Sequence, residues 1–170
     1  MIFKKHFIIQ HRWGGELIAP ETRISLDLLI DGSGARIQID APFHGDAPPQ
    51  DPPGSTWALW EHEVVELFLV DEDGSYLELE FGPHGHFLAL RLVAPREIAE
   101  RHLQLHYRSR IMDKRWFGEA FVAPEHLPKT LNRWNAFAIS GYAIDRDYLV
   151  WHSLPGDVPD FHQPYEFPLV

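Results

Sequence analysis

The chain contains no cysteine. This absence excludes a disulfide framework, a thiolate zinc site and a cysteine nucleophile. Basic residues are also few, because 15 Lys and Arg stand against 25 Asp and Glu, for a formal net charge of −10. Since proteins that bind nucleic acids neutralise phosphates with basic residues, we expect no nucleic-acid partner. The same charge argues against an anionic membrane surface.

Long apolar runs are missing as well. No segment approaches the roughly 18 uninterrupted apolar residues of a membrane helix. Residues 1–13 carry positive charge but lack the apolar stretch and small-residue cleavage site of a signal peptide. We therefore expect no membrane association and a cytoplasmic location. A length of 170 residues predicts one domain, residues 1–170.

Helical periodicity is scarce, and alternation of apolar and polar residues dominates. Residues 24–30 and 36–39 alternate on either side of the turn at 31–34, which indicates a hairpin, and residues 76–81 alternate throughout. Further strands are predicted over residues 62–70, 87–93, 103–111, 116–122, 134–142 and 148–154, with an edge strand over 165–170. Short helical turns are predicted over 95–101 and 124–130. The pattern predicts an all-β, antiparallel β-sandwich.

Residues 41–57 interrupt this pattern. The segment contains five prolines and two glycines, so it cannot form a central strand. A loop of this length in a compact domain is usually functional or disordered. It leads directly into the most informative part of the sequence.

That part is residues 60–69, where Trp60 stands at the entrance of a strand. Alternation places Glu66 on the face opposite the expected core. Glu78 and Glu80 are expected to project from the next strand, and Arg91 from the one after. Carboxylates accept strong hydrogen bonds from hydroxyl groups, and aromatic faces cover sugar rings, so this face suits a polyhydroxylated ligand.

A simpler interpretation exists for the same residues. Alternating Glu78 and Glu80 are also typical of a strand whose one face is in water. Trp60 is equally consistent with a core position, because large aromatic side chains contribute mainly through packing.

Several stretches in order resemble family 9 carbohydrate-binding modules and the related DOMON-like sandwiches. Residues 60–69 are similar to the signature Trp-Glu-x-Asp-x-Val-Glu-hydrophobic-Phe, and residues 76–85 to the strand and turn that follow it. Further similar stretches, which extend the match from about residue 57 to the end of the chain, are residues 117–127, 134–139, 151–153 and 159–167.

The resemblance implies a jelly-roll-like, two-sheet sandwich with a slot whose two aromatic walls hold a terminal sugar. It places Trp60 on the first wall, Phe161 on the second with His162 beside it, and Glu66 as a carboxylate that binds sugar hydroxyls. If Trp60 and Phe161 pack against each other instead of bordering an open gap, a sugar slot is excluded. Glu78 departs from the family pattern, because some members have a basic residue there.

Metal binding is a weaker prediction. Some members of the resembled family use calcium, and Asp71 and Asp73 offer carboxylate oxygens, although a hairpin turn explains both equally well. His84 and His86 have the spacing of metal ligands but need a third one. No pair of axial haem ligands is evident.

The sequence therefore favours non-catalytic binding of a carbohydrate or small glycoside. The alternatives are a domain that binds a protein partner or senses a small molecule, a glycoside hydrolase built on paired carboxylates, and a metal-dependent enzyme. The ligand, the pathway and the oligomeric state are left open.

Overall fold

A computed structural model describes residues 2–170 of the chain as two antiparallel β-sheets. The five-stranded sheet contains, in spatial order, β1 (Phe3–Ile9), β3 (Ile24–Asp31), β4 (Gly34–Pro42), β10 (Arg115–Val122) and β9 (His106–Met112). The seven-stranded sheet contains, in spatial order, β2 (His11–Arg12), β12 (Asp147–Val150), β11 (Leu131–Ser140), β5 (Val64–Asp71), β6 (Tyr76–Phe81), β7 (Phe87–Ala94) and β8 (Glu97–Glu100). The predicted all-β, antiparallel sandwich is confirmed.

Helical structure in the described residues is limited to five 3-10 turns, at Pro20–Thr22, Leu59–Glu61, Pro124–His126, Ala143–Asp145 and Pro164–Glu166. The turn predicted within residues 124–130 is present. No helix among these residues has the length and apolar character needed to cross a bilayer.

Two predictions of local structure are wrong. Residues 95–101 do not form a helical turn: Arg96 adopts a positive φ of 64°, and the chain reverses tightly so that β8 pairs with β7. Residues 165–170 do not form an edge strand. They contain a 3-10 turn and a single bridge between Leu169 and Arg133.

The sandwich has one core between its sheets. Alternate residues of β5 and β6, among them Val65, Leu67 and Leu79, point into it together with the apolar residues of β3 and β4. This is the face that the sequence assigned to the core, because residues two apart on a strand share a face.

A second apolar cluster covers the opposite face of the seven-stranded sheet. The C-terminal segment, residues 151–170, lies across this face and buries Phe161 and Phe167 against Phe68 and Phe137. All six residues of β6 are buried. The interpretation of Glu78 and Glu80 as a face in water is therefore wrong.

The proline-rich loop is fixed along the edge of this sheet. The backbone of Gly54 exchanges hydrogen bonds with Gly85 and Phe87, and the side chain of His86 meets the carbonyl of Asp51 at 2.8 Å. The loop thus carries the chain from β4 to Trp57, beside the covered face.

Candidate functional site

A cavity of about 470 Å³ opens on the covered face of the seven-stranded sheet. Strands β5, β6, β7 and β11 contribute residues to its sheet side, and the C-terminal segment contributes residues to the opposite side. Its lining consists of Trp57, Trp60, Glu66, Glu78, Leu90, Leu92, Arg96, Ile98, Arg101, Ile139, Tyr148, Pro159, Asp160, Phe161 and His162. Its volume lies within the roughly 300–1,000 Å³ typical of small-molecule pockets.

Three carboxyl groups lie together on the sheet side. Glu66 on β5 is the direct cross-strand partner of Glu80 on β6, and Glu78 lies two residues before Glu80 on the same face. Opposed side chains in an antiparallel pair have Cβ atoms about 5 Å apart. The residues are 2%, 4% and 0% exposed for Glu66, Glu78 and Glu80, respectively. Glu66 and Glu78 line the cavity, and Glu80 lies beside them outside the lining.

Burial controls the ionisation of these groups. Loss of hydration raises the pKa of Glu66, and the charge of Glu78 raises it further. Burial raises the pKa of Glu80 in the same way, with additional repulsion from both neighbours. For Glu78, burial raises the pKa to about 7. The cavity therefore contains carboxyl groups that hold protons at far higher pH than ordinary glutamates do.

Oε2 of Glu78 has no hydrogen-bond partner within residues 2–170, whereas the Glu80 carboxyl group lies close to the Glu78 side chain and the Trp60 backbone N–H. Buried polar atoms are almost always hydrogen-bonded in folded proteins. Because Glu78 lines the cavity, its Oε2 is available to a group that enters it.

Aromatic side chains form much of the cavity wall. Trp60 packs edge-on against Trp57, with ring centroids 5.0 Å apart, and Trp57 is 41% exposed. Tyr148 of β12 also lines the cavity, and its ring is half-buried. Tyr148 lies 6.1 Å from the Phe161 ring of the C-terminal segment, and the three rings together supply apolar surface to the cavity.

The predicted pair of aromatic walls is present only in part. Trp60 and Phe161 both line the cavity, and within residues 2–170 their rings are not in contact with each other. Phe161 is only 8% exposed, because its ring stacks on Phe137 at 4.1 Å and lies 6.0 Å from Trp13. Protein therefore covers most of this ring.

Trp60 is positioned by a tight turn and a cation. Ala58 adopts a positive φ of 59°, and the following 3-10 turn holds Trp60 at the cavity. The Arg146 guanidinium donates hydrogen bonds to the carbonyl oxygens of Trp60 and Glu61. Sequence reasoning missed Arg146, because it lies far away along the chain and no local pattern marks it.

His162 and Asp160 form a polar network at the C-terminal side. His162 Nδ1 lies 2.7 Å from the Tyr76 hydroxyl, and its backbone N–H donates to Asp160. Asp160 also accepts a 2.8 Å ion pair from Arg96. Burial, together with the charge of Arg96, lowers the pKa of His162 to about 4, so this ring is neutral near pH 7.

Arg91 is not part of this site, and its predicted placement is corrected. On β7 the residues that share the carboxyl face are Leu90 and Leu92, so Arg91 projects to the other side. There it donates to Glu100 at 2.8 Å and to the carbonyl of His126. Alternation shows which residues of a strand share a face. It does not show which face of the sheet they occupy, because that depends on how β7 pairs with β6, and this pairing was not predicted.

The candidate metal ligands are dispersed. Asp71 accepts hydrogen bonds from the backbone of Glu72, Lys129 and Thr130, and Asp73 accepts two from Ser75, so these carboxylates are used in the turn. No group of three or more His, Asp or Glu residues within 2–170 could hold a metal ion.

The histidine pair is similarly separated from a third ligand. His84 packs edge-on against Phe43, and His86 approaches the carbonyl of Asp51. Calcium or another metal stays an untested prediction.

The fold and the cavity define an antiparallel β-sandwich with a ligand-sized pocket on one sheet. No protein-family model matches the chain. The UPF0462 protein C4orf33 homolog of Danio rerio is 34% identical over 166 residues, covering 92% of this chain and 84% of that protein. The Homo sapiens UPF0462 protein C4orf33 is 34% identical over 165 residues, covering 92% and 82%, respectively. The chain belongs to the UPF0462 family.

A solved structure shares the fold. It is a protein from Bacteroides uniformis, provisionally assigned as carbohydrate-binding, with a TM-score of 0.76 over 98% of this chain and 85% of that chain. Sequence identity is 12%, so this likeness concerns the fold alone.

Proposed function

We propose that the cavity binds a carbohydrate or another small polyhydroxylated ligand without transforming it. The observation that carries this proposal is the pairing of two buried carboxyl groups, Glu66 and Glu78 with its unpartnered Oε2, with aromatic walls in one ligand-sized cavity. Sugars present hydroxyl groups in the plane of the ring and apolar C–H groups on its faces. Carboxyl groups can form hydrogen bonds with the hydroxyl groups, and the rings of Trp57, Trp60 and Tyr148 can pack against the C–H faces.

Two likenesses support the proposal. Residues 60–69 resemble the signature of family 9 carbohydrate-binding modules, and Trp60 and Glu66 of that stretch line the cavity. The Bacteroides uniformis protein of the same fold carries a carbohydrate-binding assignment. We extend both to this chain as part of the proposal.

Binding is proposed over glycoside hydrolysis because neither cavity carboxyl group has an ion-pair partner within residues 2–170 that would keep it ionised. A hydrolase needs one protonated carboxyl group and one ionised carboxylate, so their environments must separate the two pKa values. Here burial raises the pKa of both Glu66 and Glu78. Neither group is held in the ionised form by a paired cation.

A thermal-shift screen against neutral mono- and disaccharides tests the proposal. A ligand at one hundred times its dissociation constant stabilises the folded state by about 2.7 kcal/mol. For a domain of this size that corresponds to a rise in Tm of roughly 5–10 °C. The Trp60→Ala variant should lose the rise, because its ring forms part of the wall.

Tyr142→Ala is the matched control. Tyr142 is an aromatic residue that is 84% exposed and outside the cavity lining, so its removal should leave the sugar-dependent rise intact. If no saccharide shifts the Tm of the wild-type protein, or if both variants respond as the wild type does, the proposal is wrong.

A further inference from the structure

The three carboxyl groups at the cavity have no cationic partner. The ion pairs found within residues 2–170 do not include Glu66, Glu78 or Glu80. Ionised carboxylates are almost never buried without a paired cation or a metal, because the loss of hydration is not compensated. In their ionised form these carboxyl groups therefore have no ion-pair partner among residues 2–170, and burial raises their pKa values accordingly.

The nearest arginines are engaged elsewhere. Arg96 forms its ion pair with Asp160 at 2.8 Å. The Arg101 guanidinium carbon lies 4.3 Å from the centroid of the Trp57 ring, and Arg146 donates to backbone carbonyls of the Trp60 turn. Arg96 and Arg146 thus attract the charges of Glu78 and Glu66 only at longer range, and no side chain within residues 2–170 forms an ion pair with either carboxyl group.

From this arrangement we infer that the preferred ligand is an amino sugar, whose protonated amine contacts Glu66 and Glu78 while its hydroxyl groups occupy the rest of the cavity. The inference rests on the proposed function and specifies the ligand class for the same cavity. A neutral sugar can form hydrogen bonds with these groups, but a cation also stabilises their ionised form and would lower their pKa values. Charge-assisted hydrogen bonds are roughly twice as strong as neutral ones.

The aromatic wall favours the same class. Ammonium groups are attracted to the faces of Trp and Tyr rings within about 6 Å, and desolvation strengthens the attraction. Trp57, Trp60 and Tyr148 line the cavity that contains Glu66 and Glu78, so an amine bound there has both kinds of partner within one enclosure. Arg101 already uses the Trp57 ring in this way.

Calorimetric titration near pH 7 with glucosamine, N-acetylglucosamine and glucose tests the inference. These sugars share the same ring and differ in one substituent. Glucosamine carries a charged amine, N-acetylglucosamine a neutral acetylated amine, and glucose a hydroxyl group. Glucosamine should bind at least about tenfold more tightly than the other two. In Glu78→Gln that preference should fall to about twofold or less, while the affinity for glucose changes little, because glutamine keeps the shape and removes the charge.

Glu21→Gln is the matched control, since Glu21 is an exposed glutamate of the first 3-10 turn and lies outside the cavity. It should retain the full preference for glucosamine. Glu66→Gln is the second test variant, to be used if Glu78→Gln does not fold, with the same expected loss.

The outcomes separate the two proposals. If glucose binds as well as glucosamine, or if the preference survives in the glutamine variants, the inference is wrong and the proposed function stands. If none of the saccharides binds, the proposed function fails and the inference fails with it.

Discussion

Raising the pH should destabilise this protein, and Glu78 is the residue whose share of the effect can be calculated. Its pKa rises from an ordinary value of 4.5 to about 7 because the side chain is buried. Between these values the unfolded chain releases the proton while the folded protein keeps it. Since the unfolded state then binds fewer protons, the free energy of unfolding falls as the pH rises, until the folded protein also releases the proton above about pH 7.

The magnitude follows from the same two values. One pKa unit corresponds to about 1.4 kcal/mol. The difference between 4.5 and about 7 therefore makes the protein about 3 kcal/mol less stable above about pH 8 than below about pH 4, from Glu78 alone. Glu66 and Glu80 act in the same direction, because burial raises their pKa values too.

Glu78→Gln isolates this contribution, because glutamine resembles the protonated acid and does not titrate. Urea unfolding at a series of pH values should show the variant gaining stability relative to the wild type, from near zero at about pH 4 to about 3 kcal/mol at about pH 8. Glu21→Gln, which changes an exposed glutamate, should follow the wild type throughout. A stability difference for Glu78→Gln that is independent of pH would refute the reasoning.

Three further changes have defined outcomes. Arg146→Ala removes the hydrogen bonds that hold the Trp60 turn, so saccharide affinity measured by calorimetry should fall while circular dichroism shows an intact sandwich; unchanged affinity would contradict this positioning role. Phe161→Ala should lower the free energy of unfolding in urea by about 3–5 kcal/mol, because it empties a buried stacking position; a cost below about 1 kcal/mol would contradict its burial. Gly34→Ala should lower the Tm substantially, since its φ is 133° and a Cβ there would lie 2.4 Å from a carbonyl oxygen of β10. Gly32→Ala, which meets nothing within 4 Å, should be far milder, and equal Tm values would contradict the close approach.

The strands that alternate clearly could be predicted from sequence. The hairpin of β3 and β4 and the strand β6 have apolar residues at every second position, and each lies where the pattern places it. β1 alternates as well, from Phe3 to Ile9, but it was not predicted as a strand. The two-residue β2 is too short to produce any pattern.

The covering of the outer face could not be predicted, because it depends on contacts distant in sequence. The C-terminal segment has no periodicity, yet it covers Phe68, Phe137 and Tyr76 on the face that also carries Glu78 and Glu80, where burial raises the pKa values of both. The residues that the sequence singled out, Trp60 and Glu66, do lie at the cavity.

Several cavity residues had no signal in the sequence. Trp57, Tyr148 and Asp160 come from a loop, the short strand β12 and an irregular segment, and only the tertiary structure brings them together. Arg91, in contrast, was predicted at the site but lies outside it. Its strand was predicted, but the face it occupies depends on a register that a single sequence does not reveal.

The most direct test of ligand binding at this cavity is a two-dimensional NMR titration that follows the indole N–H signals of the six tryptophans. Trp57 and Trp60 line the cavity, whereas Trp116 and Trp134 are buried in the core between the sheets and serve as internal controls. Addition of a saccharide should shift the signals of Trp57 and Trp60 in a saturable way and leave those of Trp116 and Trp134 in place. Saturable binding that leaves the Trp57 and Trp60 signals unmoved, or no response to any saccharide, would contradict the account.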